Sequence, residues 1–181
     1  MKQFPVVTTP RLILRPFTLE DAPAVQRLAS AREVAEGTLT IPHPYPDGAA
    51  AEWIALHQPR FDEDKDLVLA ITVRETEEVA GAMGLILKLQ HDKAELGYWV
   101  GVPYWGRGYA TEAALALIRY GLNEWPLNRI EAFHFSRNPA SGRVMQKLGM
   151  KHEGTLREDT KKWGEYLDIE VYGALRRELL A

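Results

Sequence analysis

The chain has 181 residues, of which 46% are hydrophobic and 26% are charged, a composition that fits one globular domain with a sizeable core. Lysine and arginine total 22 against 25 acidic residues, and the resulting net charge of −3 argues against a dedicated nucleic-acid-binding protein. The absence of cysteine excludes disulfides, thiolate metal sites and a cysteine nucleophile. The N-terminus lacks an apolar signal core and no run reaches membrane-spanning length, so we expect a single cytoplasmic domain over residues 1–181.

The first part of the chain predicts one strand, two helices and a stiff loop between them. Arg11 to Phe17 (RLILRPF) is a short β-rich run and predicts the strand. A capping-box pattern opens the segment Thr18 to Ser30, which predicts a helix. Three prolines stiffen Ile41 to Gly48 (IPHPYPDG) into a loop, and a second helix is expected from Ala49 to about Gln58.

The middle of the chain predicts an antiparallel meander followed by a crossover. The meander comprises the apolar runs Leu67 to Val73, Val79 to Leu89 and Ala94 to Val102. A helical stripe then covers Thr111 to Glu124, and Arg129 to Phe135 predicts a further strand. Because that strand is reached through a helix, it should lie parallel to the last strand of the meander.

The end of the chain predicts a short helix and two more strands. Asn138 can cap the helix, which Gly149 closes. The runs Met150 to Thr160 and Tyr166 to Leu175 predict the strands, joined as a hairpin. The whole pattern predicts an α+β fold, with a mostly antiparallel mixed sheet of about seven strands, one parallel step and about four flanking helices.

A glycine-rich turn occupies the parallel step. In the segment Tyr104 to Ala114 (YWGRGYATEAA), Gly106 and Gly108 flank Arg107 immediately before the helix. Such a turn leaves backbone N–H groups unpaired at a helix N-terminus, where the helix dipole also favours negative charge. Glycines let a ligand approach the backbone closely. The pattern therefore predicts a phosphate or pyrophosphate site, with an ordinary strand-to-helix turn as the alternative.

Other nucleotide and metal motifs fit the sequence less well. A dinucleotide-binding GxGxxG motif would need a third glycine where Thr111 stands, and it usually lies in the first βα unit of its fold. No GK[ST] sequence is present, which excludes a P-loop. The 5 histidines show no metal-ligand spacing, so no metal is predicted. His134 alternates with apolar residues along its strand and is interpreted as a core histidine.

Three separate segments resemble one known family. Thr9 to Asp21 (TPRLILRPFTLED), Ala94 to Ala113 (AELGYWVGVPYWGRGYATEA) and Arg137 to Gly154 (RNPASGRVMQKLGMKHEG) occur in the order typical of that family. The chain resembles the GNAT superfamily of acyl-CoA-dependent N-acetyltransferases, and within it the RimJ/RimL-type branch of ribosomal-protein N-terminal acetyltransferases. The resemblance covers nearly the whole chain and implies a GNAT-like fold with acetyl-CoA as cosubstrate.

The resemblance also implies where acetyl-CoA binds. The amides of the glycine turn would hold its pyrophosphate. The backbone of the preceding strand would pair with the pantetheine arm, and the N–H of Trp99 or Val100 would polarise the thioester carbonyl. Asn138 would either cap its helix or anchor the cofactor arm. The full cofactor-binding set implied is Trp99, Val100, Val102, Arg107, Gly108, Tyr109, Ala110, Thr111, Asn138 and Ser141.

Two residues are candidates for catalysis. Glu95 is an isolated acid in an apolar strand and is predicted to remove the proton of the amine, directly or through water, with an ordinary salt-bridging role as the alternative. Many members of the family have a tyrosine general acid where this chain has Met145. By resemblance, Ser141 would instead lie near the thiol and donate to the leaving sulfur, with helix capping as its alternative role.

The implied activity is transfer of an acetyl group from acetyl-CoA to a primary amine, on a protein N-terminus or a small molecule, by direct attack in a ternary complex. Because Met145 cannot donate a proton, a non-catalytic acyl-CoA-binding regulatory module with the same fold is the alternative. We expect a monomer or homodimer, with no nucleic-acid or membrane partner.

Overall fold

A mixed sheet of eight strands forms the centre of the molecule, for which a computed structural model describes residues 1–180. The strands are β1 (Val7–Thr8), β2 (Leu12–Arg15), β3 (Asp66–Val73), β4 (Val79–Lys88), β5 (Lys93–Val100), β6 (Arg129–Phe135), β7 (Lys151–Lys162) and β8 (Glu165–Leu175). Their order across the sheet is β1-β2-β3-β4-β5-β6-β8-β7. The α+β class and the meander are confirmed, and the extra strand is the two-residue β1, which is too short to show a period.

Helices cover both faces of this sheet, and they are more numerous than the expected four. The described residues contain α1 (Ala22–Ala29), α2 (Arg32–Gly37), α3 (Ala49–Ala55), α4 (His57–Asp62), α5 (Tyr109–Glu124), α6 (Pro139–Lys147) and α7 (Arg176–Leu179). The single helix predicted from Ala49 to Gln58 is wrong, because it is divided into α3 and α4. Pro59 explains this break, since it cannot donate the helical hydrogen bond to the carbonyl of Ala55.

The predicted capping box at the start of the first helix is confirmed. The backbone N–H of Thr18 donates to Asp21 Oδ2 at 2.9 Å. Asp21 also accepts from the guanidinium of Arg15 at 2.8 Å, which ties the end of β2 to this turn. The box opens a single 3-10 turn, Leu19–Asp21, that leads directly into α1.

The sheet divides where its one parallel pair of strands separates. Neighbouring strands are antiparallel except β5 and β6, which pair in parallel only from Lys93 with Arg129 to Leu96 with Ala132. Beyond this point β5 runs on to Val100 and β6 to Phe135 without pairing to each other. The two strands therefore leave a wedge with unpaired backbone edges, and ligand groups can hydrogen-bond there.

Each face of the sheet has its own core. The long helix α5 packs against β2, β4 and β5, and its Leu117 is fully buried beside Leu85 and Leu96. On the opposite face α1 and α3 pack together over a smaller cluster that includes Leu28 and Trp99. Burial of each such large side chain contributes about 1.5–3 kcal/mol. The two cores hold β5 from both sides, so the edge of the wedge is a rigid surface.

Candidate active site

The wedge between β5 and β6 opens into a cleft of about 610 Å³. Four parts of the chain line it: the end of β5, the glycine turn with the start of α5, one side of α6, and α2. Several predicted cofactor-binding residues meet here although they are distant in sequence. The predicted residues that line the cleft are Trp99, Val100, Gly108, Tyr109, Ala110, Thr111, Asn138 and Ser141.

The glycine turn brings a helix N-terminus to the cleft. Gly106 and Gly108 have positive φ angles of 74° and 79°, a left-handed conformation that side chains with a Cβ rarely adopt. Gly108 is the N-cap of α5 and has no side chain to cap it. The amides of Tyr109, Ala110 and Thr111, in the first turn, thus have no partner within the helix. These amides line a concavity with the positive end of a 16-residue helix behind it, an arrangement that favours an anion.

Glu112 lies in the same first turn, but its carboxylate faces away from this concavity. It accepts hydrogen bonds from Thr9 Oγ1 at 2.7 Å, from the Arg11 amide at 2.9 Å and from Arg11 Nε at 2.7 Å. Burial alone would raise the pKa of Glu112, but these hydrogen bonds and the charge of Arg11 outweigh it and lower the pKa. The negative charge is therefore neutralised on the outside of the turn, and an incoming phosphate does not meet it.

The edge of β5 presents Val100 to the wedge. The N–H of Gly101 donates to Ala80 in β4 at 2.8 Å, and alternation along the strand directs the amide of Trp99 to β4 as well. Val100 faces the other way, because its carbonyl oxygen accepts from the Trp105 indole N–H at 2.6 Å. Of the two amides named for the thioester carbonyl, that of Val100 is thus the one directed into the wedge.

The start of α6 supplies the polar groups of the opposite wall. Asn138 is the N-cap of α6, as predicted, with its side-chain oxygen accepting from the Ser141 amide at 3.3 Å. Its Nδ2 donates to the Gly37 carbonyl, also at 3.3 Å, which ties α6 to the end of α2. The Ser141 hydroxyl oxygen lies 2.6 Å from the hydroxyl oxygen of Tyr98. Burial raises the pKa of Tyr98 to about 12, although the hydrogen bond with Ser141 opposes this rise.

Tyr98 was not among the predicted site residues. In the sequence it alternates with Leu96 and Val100 on an apolar strand face, which is the ordinary pattern of a core residue. The available signal was its hydroxyl, since a tyrosine on an otherwise apolar face usually places that group against a polar partner. Three cationic residues were missed as well, and these also line the cleft: Arg137, Arg143 and Lys147.

Three predicted site residues do not line the cleft. Glu95 faces a charged cluster, with its carboxylate 3.0 Å from Lys88 Nζ, which is the salt-bridging role named as its alternative. Val102 begins a short 3-10 turn and is 38% exposed. The Arg107 guanidinium lies 5.8 Å from the centre of the Tyr104 ring, outside the cleft.

Met145 is buried in the core with 1% exposure and does not line the cleft. His134, as predicted, is a core histidine whose Nδ1 lies 2.8 Å from the Phe135 carbonyl oxygen. Within residues 1–180 no three histidine, aspartate or glutamate side chains form a group able to hold a metal ion. In the same range, no helix combines the length and the apolarity needed to cross a membrane.

Comparison with known proteins shows the family of the chain. The sequence profile of the acetyltransferase (GNAT) domain matches residues 11–151, so the chain belongs to the GNAT acetyltransferase family. Its class is that of the acetyl-CoA-dependent N-acetyltransferases, and the resemblance found in the sequence is confirmed.

Three individual proteins illustrate the similarity. The chain is 35% identical over 172 residues to p20 of Bacillus licheniformis, described as an uncharacterized N-acetyltransferase, with 94% of this chain and 96% of that protein covered. A GNAT-family acetyltransferase from Bacillus anthracis superposes with a TM-score of 0.85 at 25% identity, covering 96% of this chain and 100% of that one. RimL, a ribosomal L7/L12 α-N-protein acetyltransferase solved with coenzyme A, superposes with a TM-score of 0.86. Its identity is 16%, with 94% of this chain and 98% of RimL covered, so this likeness concerns the fold alone.

Proposed function

We propose that the protein transfers the acetyl group of acetyl-CoA to a primary amine by direct attack, with both substrates bound in one ternary complex. The observation that carries this proposal is the meeting of three features in one cleft: the open edge of β5 at Val100, the uncapped N-terminus of α5, and the hydroxyl of Ser141. The amine would belong to a protein N-terminus or to a small molecule.

The residues present fit acetyl-CoA along the length of the cleft. The first-turn amides of α5, at Tyr109 to Thr111, would receive the pyrophosphate. The cationic side chains of Arg143 and Lys147 on α6 line the same cleft and would neutralise further phosphate charge. The edge of β5 near Val100, which no strand covers, would hydrogen-bond the pantetheine amides as an additional strand does.

In the transfer step the amine nitrogen forms a bond to the thioester carbonyl carbon, and the bond from that carbon to sulfur breaks. The amide of Val100 would donate to the carbonyl oxygen as it gains negative charge, a contribution of about 3 kcal/mol in comparable sites. Ser141 would donate to the departing sulfur. The chain contains no cysteine, so no protein thiol can carry the acetyl group as a covalent intermediate. This favours direct attack by the amine.

Glu95 would not take up the amine proton. Its carboxylate is neutralised by Lys88 at 3.0 Å, and its side chain is outside the cleft. The amine proton would instead leave through water and be balanced by the proton that the sulfur takes up to form the free thiol. The acceptor amine would enter along the wall formed by the end of α2, where Gly37 and Thr38 line the cleft.

The decisive experiment is release of free CoA thiol from acetyl-CoA on addition of a library of amines and peptides. A thiol-reactive dye can follow the reaction without protein background, because the chain contains 0 cysteines. Turnover with at least one amine supports the proposal. Binding of CoA with no turnover across the library would favour a non-catalytic acyl-CoA-binding module, and no CoA binding would contradict both functions.

A further inference from the structure

Two hydroxyl groups join β5 to α6 inside the cleft. The Tyr98 oxygen lies 2.6 Å from Ser141 Oγ and 3.4 Å from the Ser141 carbonyl oxygen. Asn138 accepts the Ser141 amide at 3.3 Å. Asn138 at the start of α6 therefore fixes the backbone of Ser141, and Tyr98 on β5 fixes its side chain. Both hydroxyl-bearing residues line the cleft, so the pair is within reach of a bound ligand.

We propose that Tyr98 is a positioning residue for the acetyl transfer: by donating a hydrogen bond to Ser141 Oγ, it turns the Ser141 proton into the cleft, toward the departing sulfur. This inference rests on the proposed function and adds to it the group that orients the hydrogen-bond donor. Met145, at the position of the tyrosine general acid in many members of the family, has a thioether with no proton to donate and is also buried in the core.

The direction of the hydrogen bond between Tyr98 and Ser141 follows from the number of protons. Each hydroxyl has one proton to donate. If Ser141 donated to Tyr98, the Tyr98 proton would have only the long 3.4 Å contact to the Ser141 carbonyl. If Tyr98 donates to Ser141, the serine proton is free to hydrogen-bond the sulfur as it gains negative charge. Hydrogen bonds to charged acceptors are stronger than those to neutral acceptors.

Two features keep this arrangement in place. The raised pKa of Tyr98, about 12, keeps the phenol protonated at neutral pH, so it remains a donor. Ser141 lies in the first turn of the nine-residue helix α6, where the positive end of the helix dipole favours a nearby anion. When the bond to the carbonyl carbon breaks, the sulfur takes the electron pair and accepts the hydrogen bond from Ser141. The sulfur then takes a proton equivalent to the one that the amine releases, and both hydroxyls keep theirs.

The test compares Tyr98→Phe, Ser141→Ala and the double variant in steady-state kinetics with an amine that the wild-type protein acetylates. Tyr98→Phe removes the hydroxyl and keeps the ring, and we expect kcat to fall about tenfold while KM for acetyl-CoA changes less than about twofold. Because Tyr98 acts through Ser141, the double variant should be no slower than Ser141→Ala alone. Tyr166→Phe, at a tyrosine that is 61% exposed, is the matched control and should keep wild-type kinetics.

A change of leaving group separates positioning from a merely structural effect. In acetyl-seleno-CoA the departing selenolate is a more stable anion than a thiolate and depends less on a hydrogen-bond donor. With this analogue, kcat of Tyr98→Phe and of Ser141→Ala should therefore be only about twofold below the wild-type value. A structural defect would lower kcat by the same factor with acetyl-CoA and with acetyl-seleno-CoA.

Three results would each overturn the role of Tyr98 and leave the proposed function intact. They are a wild-type kcat in Tyr98→Phe, losses of kcat that multiply in the double variant, and a loss of kcat that is the same with acetyl-seleno-CoA as with acetyl-CoA. A wild-type protein that binds CoA but turns over no amine would overturn the proposed function and this inference together.

Discussion

At the scale of single residues, the carboxylate of Glu95 shares the ammonium of Lys88 with Glu131, at 3.0 and 2.8 Å respectively. Glu131 is 5% exposed and also accepts from Lys93 at 2.9 Å. Burial alone would raise the pKa of Glu131, but these two lysines outweigh it and lower the pKa. Glu95 is the more exposed of the two carboxylates, and Lys88 keeps Glu131 as a partner when Glu95 is replaced.

We therefore expect Glu95→Gln to keep kcat within about twofold and to change the free energy of unfolding by less than about 1 kcal/mol, as for a partly exposed ion pair. Steady-state kinetics with the accepted amine and thermal unfolding measure the two quantities. A large loss of kcat, with activity moved to higher pH, would instead show that Glu95 removes the amine proton.

His57 is a second residue whose surroundings decide its behaviour. It is 6% exposed and packs against the rings of Phe17 and Trp53, at 5.4 and 4.4 Å between ring centres. Neither ring nitrogen has a hydrogen-bond partner among the described residues. Burial, with a smaller effect from the charge of Arg60, lowers the pKa of His57 to about 4. The folded protein therefore keeps this histidine neutral in mild acid.

The unfolded chain binds a proton at His57 near its ordinary pKa of 6.5, whereas the folded chain does so only near 4. Stability should therefore be lost as the pH falls from 6.5 to 4, by roughly 3 kcal/mol from this group. His57→Phe should remove this pH dependence of the free energy of unfolding, measured by urea unfolding between pH 4 and 6.5. His91→Phe, at an exposed histidine, should keep the wild-type slope. Equal slopes in all three proteins would contradict the burial effect.

At the scale of elements, the start of α5 depends on Gly108, which has a φ of 79°. Asn and Asp both tolerate this conformation better than other non-glycine residues, but only Asp is charged. A Cβ at this position would lie 3.4 Å from Arg11 Nη2, so the aspartate adds negative charge to the turn and competes with Glu112 for Arg11. Gly108→Asp should therefore raise KM for acetyl-CoA about fivefold, whereas the neutral Gly108→Asn should raise it less. Equal effects in the two folded variants, measured by initial rates, would place the phosphates elsewhere.

The pairing of β4 with β5 sets the position of the strand edge that faces the wedge. A Cβ on Gly81 would lie 2.2 Å from the Trp99 carbonyl oxygen and 2.9 Å from Val100 Cα, so it would push the end of β5. Gly81→Ala should cost about 1–3 kcal/mol in the free energy of unfolding and lower kcat/KM. Gly97→Ala is the matched control, since a Cβ there has nothing within 4 Å. Circular dichroism melting and initial rates distinguish the two variants.

At the scale of the whole molecule, Lys162 joins the last hairpin to the first third of the chain. Its ammonium donates to the Thr38 carbonyl and lies 3.4 Å from the Ile41 carbonyl, and the residue is 6% exposed. Burial, with a smaller effect from the charge of Arg137, lowers the pKa of Lys162. Because Thr38 lines the cleft, this contact also holds the wall along which we propose that the amine enters.

Lys162→Met should leave both carbonyls without this donor and cost about 2 kcal/mol, which lowers Tm by several degrees for a chain of this length. It should also raise KM for the amine more than KM for acetyl-CoA. Lys161→Met, at the exposed neighbouring residue, is the control and should melt as the wild type does. An unchanged Tm in Lys162→Met would contradict the proposed link.

Much of the fold could be predicted because it rests on local interactions. The Thr18 box, the Asn138 cap and the glycine turn each involve groups within a few residues of one another, and the strand and helix periods are equally local. The short helices were miscounted because they contain too few residues to show a period. The class of the cosubstrate followed from three motifs in order, and the family match confirmed it.

The sequence did not indicate several contacts that shape the cleft. Nothing local indicates that β5 and β6 part after Leu96 or that Tyr98 meets Ser141 across 43 residues. The ion pair of Lys88 with Glu95 depends on the register of the β4–β5 hairpin. The residues and their spacing predicted most of the strands, the long helix α5, the glycine turn and the family. The structure decided which side chains enter the cleft, because packing on both faces sets where each strand ends its pairing and which partner each polar group finds.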